Sequence, residues 1–293
     1  MPHTKHQIQE FLRSAGITPR RRWGQNFLID LNLMRLLVDS AALKGDEVVL
    51  EVGCGTGSLT ELLSDRAGKV VAVDIDRNLM QIARQQLENR ENIQFINSDV
   101  LSTKNCLQPQ VRDEIIRLRQ EFAGPFYLVA NLPYQVAAPL MMDLLLEDIL
   151  LPDGMWVTIQ AEVAGRMTAK AGTKEYGILS ILLQATGVLQ TLRVIKPQAF
   201  WPQPKVNSAM VNWRPDSDKL DKIKNLAQLK KITARLLNQR RKKIRNCLPQ
   251  EMDSKELMRL HQKINLDPDA RAETLNPEIF VQIANALNIK SNV

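Results

Sequence analysis

Val48-Val49-Leu50-Glu51-Val52-Gly53-Cys54-Gly55-Thr56-Gly57 decides how the rest of the chain is read. Its first half is a short apolar run rich in β-branched residues, the pattern of a strand buried on both faces. Its second half alternates glycine with small residues. Leu59, Leu62 and Leu63 then recur at helical spacing, so the glycines stand where a strand hands over to a helix. Glycine admits positive φ and lets the backbone approach a ligand closely. Free N–H groups at a helix start favour a partly negative ligand. The spacing here is G-x-G-x-G; a dinucleotide fingerprint would need its third glycine at Ser58. The loop therefore indicates a nucleotide-like ligand of unspecified kind, against the simpler alternative of a plain strand-to-helix turn.

The same alternation continues outward. Lys69–Asp74, Ile93–Ile96, Tyr127–Ala130 and Trp156–Gln160 read as further strands, and Leu79, Ile82, Ala83 and Leu87 mark a helix between two of them. Strands alternating with helices predict an α/β fold, a doubly wound parallel sheet covered on both faces. Asp74 ends the second strand and Asp99 follows the third. In such sheets the carboxyl ends of the strands line one crevice, so the glycine loop, Asp74 and Asp99 are expected to converge on one ligand. Asp74 is placed to accept from two ribose hydroxyls and Asp99 from an exocyclic amine. Each aspartate alone reads equally well as a helix cap.

Asn131-Leu132-Pro133-Tyr134 closes the fourth strand. An adenine N6 amine is a poor nucleophile because its lone pair is delocalised into the ring. A side-chain amide oxygen and a backbone carbonyl that accept its two N–H bonds favour a pyramidal nitrogen. Pro133 stiffens the turn and removes a competing donor. Tyr134 offers a ring face for stacking. Phe200, in the proline-flanked Ala199-Phe200-Trp201-Pro202-Gln203-Pro204-Lys205-Val206, is a second aromatic that would close on the base; its alternative is a buried loop anchor.

Residues 1–45 read as a helical lead-in, interrupted by Arg20-Arg21-Arg22. The polar stretch 101–124 is expected to hold an amphipathic helix around Val111–Leu118, because so long a structureless loop is uncommon. After Trp213 the strand patterns cease, and 216–293 reads as a small helical domain following a domain of residues 1–215. Lys and Arg exceed Asp and Glu by 39 to 32, a net charge of +7 that points to an anionic partner. Arg235, Arg240, Arg241, Lys242, Lys243 and Arg245 lie in a stretch, 225–250, without one acid. Read as a helix face, they bind phosphate, with Arg20, Arg21 and Arg22 a weaker second patch. Aromatic residues are only 5% of the chain, so a broad stacking platform for nucleic acid is not indicated.

Cys54, Cys106 and Cys247 are far apart and His3, His6 and His261 form no cluster, so neither a metal site nor a disulfide framework is expected. The start lacks a signal peptide's apolar core, and no run of 18 apolar residues occurs, so a cytoplasmic location without membrane contact is expected.

Taken together, Trp23-Gly24-Gln25-Asn26-Phe27-Leu28, the 51–57 loop, Asp74, Asp99, Asn131–Tyr134, Phe200–Val206 and Asn238–Asn246 resemble the ribosomal RNA adenine N6-dimethyltransferases, most nearly the branch that acts on the small subunit. The resemblance implies a seven-stranded class I methyltransferase sheet in the first domain and an RNA-binding helical second domain. It implies S-adenosylmethionine as donor, S-adenosylhomocysteine as product, and two adjacent adenines near the 3′ end of small-subunit rRNA as targets, met by a monomer within an immature particle. At matching positions, Asn26, Leu28, Gly53, Asp74, Asp99 and Asn131 would contact the donor. Asn131, Leu132 through its carbonyl, Pro133, Tyr134 and Phe200 would hold the adenine. Cys54 and Thr56 depart from the family's usual Pro and Leu, and Gln135-Val136-Ala137-Ala138 from its usual continuation. The rival expectations are a large-subunit rRNA dimethyltransferase and a non-catalytic ribosome assembly factor. The glycine spacing and the Asn131 turn disfavour an NAD oxidoreductase.

Overall fold

The structure, a computed structural model, describes residues 5–14, 16, 25–103, 106–248 and 254–287. The chain opens with α1 (Lys5–Ser14), a two-residue strand β1 (Phe27–Leu28) and α2 (Leu31–Ala41). Next come β2 (Val48–Val52), α3 (Ser58–Ser64), β3 (Lys69–Asp74), α4 (Arg77–Gln86) and β4 (Ile93–Asn97). A hairpin of β5 (Leu101–Thr103) and β6 (Cys106–Leu107) leads into α5 (Pro109–Glu121), then β7 (Phe126–Asn131), α6 (Ala137–Leu144), β8 (Gly154–Gln160) and α7 (Ala161–Met167). They are followed by α8 (Ile178–Thr186), β9 (Gly187–Ile195), β10 (Phe200–Trp201) and β11 (Ser208–Pro215). The rest is helical: α9 (Ser217–Leu220), α10 (Leu226–Asn238), α11 (Ser254–Lys263) and α12 (Pro277–Ala286).

Seven strands form one sheet in the order β4-β3-β2-β7-β8-β11-β9. The run from β4 to β8 is parallel, and β11 returns antiparallel to β8. Every residue of β2 is buried, as a central parallel strand covered on both faces requires. Two of the flanking helices, α2 and α4, start where a short acid can satisfy their free N–H groups. Asp30 accepts from Asn32 N and Leu33 N at the head of α2, and Asp76 from Asn78 N at the head of α4. α2 buries Met34, Leu37, Val38 and Ala41 in the apolar cluster that also holds Val49, Leu63, Val70 and Trp156.

The lead-in is less helical than expected. Phe27 and Leu28 pair antiparallel with Trp201 and Phe200, so a strand separates α1 from α2. The amphipathic helix expected within 101–124 is α5, with Val111, Ile115 and Leu118 buried.

The chain divides into two compact units, Met1–Ala164 with Gln190–Arg214, and Gly165–Leu189 with Pro215–Val293. The boundary read at 215/216 is thus the second entry of the chain into the helical unit. Gly165–Leu189 belongs there too, because α8 packs on α10 and α12. Leu229, Ile232 and Leu236 of α10 are buried, as are Phe280 and Ile283 of α12 and Ile181 and Leu182 of α8. Tyr176 Oη donates to Leu275 O at 2.8 Å, joining the two chain segments of that unit.

Candidate active site

The glycine turn is built from its backbone upward. Gly53, Gly55 and Gly57 have φ of 79°, 57° and 89°, a region that costs a residue with a Cβ about 1–2 kcal/mol. Gly53 N donates to Val73 O at 2.8 Å, tying the turn to β3. Gly55 N donates to Asp74 Oδ2 and Asp76 N to Asp74 Oδ1, both at 2.8 Å. Asp74 is therefore the pin between two turns, each of its oxygens keeping a second lone pair for another donor. Burial raises its carboxyl to a pKa of about 6, against the lowering effect of those N–H bonds.

Asp99 lies two residues past β4, exposed, with Oδ1 accepting from Leu101 N at 3.0 Å. Ser98 Oγ beside it is buried without a hydrogen-bond partner among the described residues. Glu51, 1% exposed, has Oε2 in the same condition. Burial, reinforced by the nearby charge of Asp74, raises Glu51 to a pKa of about 8, so it carries a proton at neutral pH. Burial likewise pushes the Cys54 thiol up. In the sequence, Glu51 is marked only as a charge inside an otherwise apolar strand.

The second turn meets the first. A Cβ on Gly53 would lie 3.2 Å from Pro133 Cδ and 3.7 Å from Asn131 O, so glycine permits the contact. Asn131, the last residue of β7, donates from Nδ2 to Asn26 O at 3.0 Å. A carbonyl partner fixes which side-chain atom is the nitrogen and leaves Oδ1 as an acceptor. Leu132 N donates to Thr158 O at 3.0 Å, and the Leu132 carbonyl takes no hydrogen bond from the described residues. Tyr134 is half-buried, which pushes its phenol up, and its Oη lies 3.2 Å from Ser208 Oγ. Around these groups lies a cavity of about 180 Å³. Its wall takes in Asn26, Leu28, Gly53, Asp74, Asp99 and the whole Asn131–Tyr134 turn, together with Ile8, Gln25, Glu51 and Ser98. Gln25 is held there by Nε2, which donates to Asp76 Oδ2 at 3.1 Å.

Two groups lie elsewhere than the sequence reading places them. Phe200 is not in the cavity wall; it pairs with Leu28 across β1 and β10 and is 3% exposed in the apolar cluster beneath. Strand pairing turns its ring inward and leaves the half-buried Trp201 stacked on Phe27, ring centres 6.2 Å apart. The basic run 240–245 is not a helix face. α10 stops at Asn238, a turn follows, and Ile244–Asn246 is a short 3-10 turn. Arg240 pairs with Glu273 at 2.7 Å and donates to Thr173 O, while Lys243 and Arg245 pair with Asp269 at 3.1 and 2.9 Å. Arg241 and Lys242 are exposed and have no acidic partner among the described residues. Arg20, Arg21 and Arg22 lie outside the described residues. Among those that are described, no group of His, Cys, Asp and Glu is arranged to hold a metal, and no helix is long and apolar enough to cross a membrane.

A model of the family described as ribosomal RNA adenine dimethylase matches residues 16–289. The ribosomal RNA small subunit methyltransferase A of Geobacillus sp. (strain WCH70) is 37% identical over 292 residues, covering 97% of this chain and 97% of that one. The protein of the same name from Caldanaerobacter subterraneus subsp. tengcongensis is 35% identical over 273 residues, covering 92% and 97%. Among solved structures, a dimethyladenosine transferase from Plasmodium falciparum superposes with a TM-score of 0.70 at 21% identity, over 87% of this chain and 94% of that one. The 23S rRNA methyltransferase ErmE gives 0.64 at 22% identity, over 90% and 100%. At such identities the likeness to the two structures concerns the fold.

Proposed function

We propose that this chain, which belongs to the ribosomal RNA adenine dimethylase family, dimethylates N6 of two adjacent adenines near the 3′ end of small-subunit rRNA. It is an S-adenosylmethionine-dependent methyltransferase with ribosomal RNA as its substrate. The finer target rests on its small-subunit relatives, and we take the enzyme to act as a monomer in the cytoplasm on an immature small subunit.

The carrying observation is the Asn131 amide. With Nδ2 committed to Asn26 O, Oδ1 is held as an acceptor beside the Leu132 carbonyl in the cavity wall. Together they accept the two N–H bonds of an adenine amine and draw its lone pair out of the ring. Tyr134 offers its ring to the base. Nitrogen attack leaves a positively charged, acidic amine, so no strong general base is required. After one methylation a single N–H remains, and the second transfer needs only one of the two acceptors.

The donor fits the rest of the wall. The turn at Gly53 and Gly55 admits close backbone approach, Asp99 is an exposed acceptor, and Ser98 lines the same cavity. S-adenosylmethionine supplies an electrophilic methyl group on a sulfonium. Asn26, Leu28, Gly53, Asp74 and Asp99 would hold it, Asp74 through the lone pairs its two backbone donors leave. Within the run 240–245, Arg241 and Lys242 are the cations left for RNA phosphate, whereas Arg240, Lys243 and Arg245 are engaged within the protein.

The test offers purified protein and labelled donor to small and large subunits that lack the modification, and maps the methylated nucleosides. We expect N6,N6-dimethyladenosine at two neighbouring positions of small-subunit RNA. Label confined to large subunits would overturn the proposal, and binding without transfer to either would leave an assembly factor.

A further inference from the structure

We propose that Ser208 is a positioning residue for the reaction: its buried hydroxyl, hydrogen-bonded to Tyr134 Oη, anchors the far end of the ring on which the target adenine stacks. The proposal rests on the reading of Tyr134 as the base-facing aromatic.

The two partners differ in how firmly they are held. Ser208 opens β11 opposite Gln160 of β8, in a register that runs unbroken to Trp213 opposite Met155. Ala161 N donates to Asn207 O at 3.0 Å and closes the end of that ladder. Ser208 is 0% exposed. Its position is thus fixed by the sheet. Tyr134 sits in an irregular turn whose backbone is held on either side, by Leu132 N to Thr158 O and Val136 N to Pro133 O, both 3.0 Å. Those bonds place its Cα but leave the ring free to turn about two side-chain torsions. One hydrogen bond at the far end of the ring fixes where Oη sits, and so the direction in which the ring projects. Oη lies on the axis of the second torsion, so the bond biases the tilt of the ring only through the in-plane preference of the phenolic O–H.

The bond is not explained by the needs of the tyrosine. Tyr134 is half-buried, and a phenol at that depth can hydrogen-bond to water. The member that needs a partner is the buried serine, for which Tyr134 Oη is the one recorded among the described residues. A serine in a sheaf of apolar strand residues that spends its hydroxyl on the cavity wall links the sheet to the orientation of the base. Apart from Asn131, the residues read as holding the donor lie outside the turn that carries Tyr134, so a misaligned ring is felt in the RNA step.

Four variants of the full chain decide it: Ser208→Ala, Tyr134→Phe, the double variant, and Tyr134→Ala. Each is assayed for kcat and KM on small subunits, for cofactor Kd, and for melting temperature. Ser208→Ala and Tyr134→Phe should each lower kcat/KM by about fivefold to tenfold, the rate equivalent of one neutral hydrogen bond. Cofactor Kd should stay unchanged, and the double variant should match either single one. Overturning results are an unaffected kcat/KM in Ser208→Ala, a lower melting temperature as its only effect, or a full further loss when it is added to Tyr134→Phe. Undiminished transfer by Tyr134→Ala would instead refute the reading of Tyr134 itself, which keeps the two failures apart.

Discussion

Glu51 shows what a single residue hides in a sequence. It stands in a strand whose other members are all apolar, and its side chain is as deeply buried as theirs. Its identity is legible; its protonation is not, because that depends on the depth of the glycine turn and on Asp74 brought next to it. The same holds for Asn131. The amide is visible in the sequence, but its orientation is set by a carbonyl 105 residues away. Glu51 also makes a measurable prediction. Its pKa is raised from 4.5 in the unfolded chain to about 8 in the fold. Between those values the unfolded chain releases its proton first, so stability falls as pH rises through that window and levels off above it. Asp74, raised from 3.8 to about 6, adds a fall over the lower part of the range. Glu51→Gln should remove the upper part, giving a higher melting temperature than the parent at pH 8 and a flatter profile from pH 6 upward. The difference should be on the order of a few kcal/mol at most. Parallel profiles from calorimetry at stepped pH would show that Glu51 is ionised in the folded protein.

Among the elements, β2, β3, β7 and β8 are readable because parallel strands buried on two faces are written as short apolar runs, and β4, at the sheet edge with Gln94 and Asn97 exposed, from Ile93, Phe95 and Ile96. β9 is not. It closes one end of the sheet and exposes Val188, Gln190, Thr191, Arg193 and Val194, so its pattern reads as polar. β1 and β10 were missed because a two-residue pairing carries no periodicity. The basic run at 240–245 was misread for another reason. Its acids, Glu273 and Asp269, come from far along the chain, and charge counted locally cannot see them. Lys243, hydrogen-bonded to Asp269, and Arg245 hold that carboxyl below its usual range. The run therefore divides into residues that brace the helical unit and residues without an acidic partner, the ones proposed to meet RNA. Arg240→Ala, which frees Glu273 and two backbone carbonyls, should lower the melting temperature by about 2–4 °C per kcal/mol lost, with about 1 kcal/mol expected. Arg241→Ala or Lys242→Ala should leave melting unchanged. Each should make the slope of log affinity for rRNA against log salt shallower by about 0.7–0.9, as one phosphate contact is lost. Salt titrations in which Arg240→Ala alone changes the slope would reverse this division.

For the molecule as a whole, the sheet and the helical unit were both foreseeable, but the way the chain visits them was not. Gly165–Leu189 joins the helices before the chain returns to finish the sheet, because α8 offers an apolar face to α10 and α12. Such an excursion leaves no mark in local composition. The linker at Arg214–Asp218 was the visible boundary only because the chain does not come back after it. One unit holds the cavity with its paired acceptors, and the other holds cations without acidic partners. In the proposed function, chemistry and grip thus fall to different units. Asn131→Ala tests that separation most directly, with methyl transfer and rRNA binding measured on the same preparation. Transfer should fall below about a hundredth of the parent rate, the loss of a preorganised acceptor at the reacting atom, while rRNA affinity stays unchanged. Transfer at the parent rate, or transfer and affinity lost together in a folded protein, would contradict it.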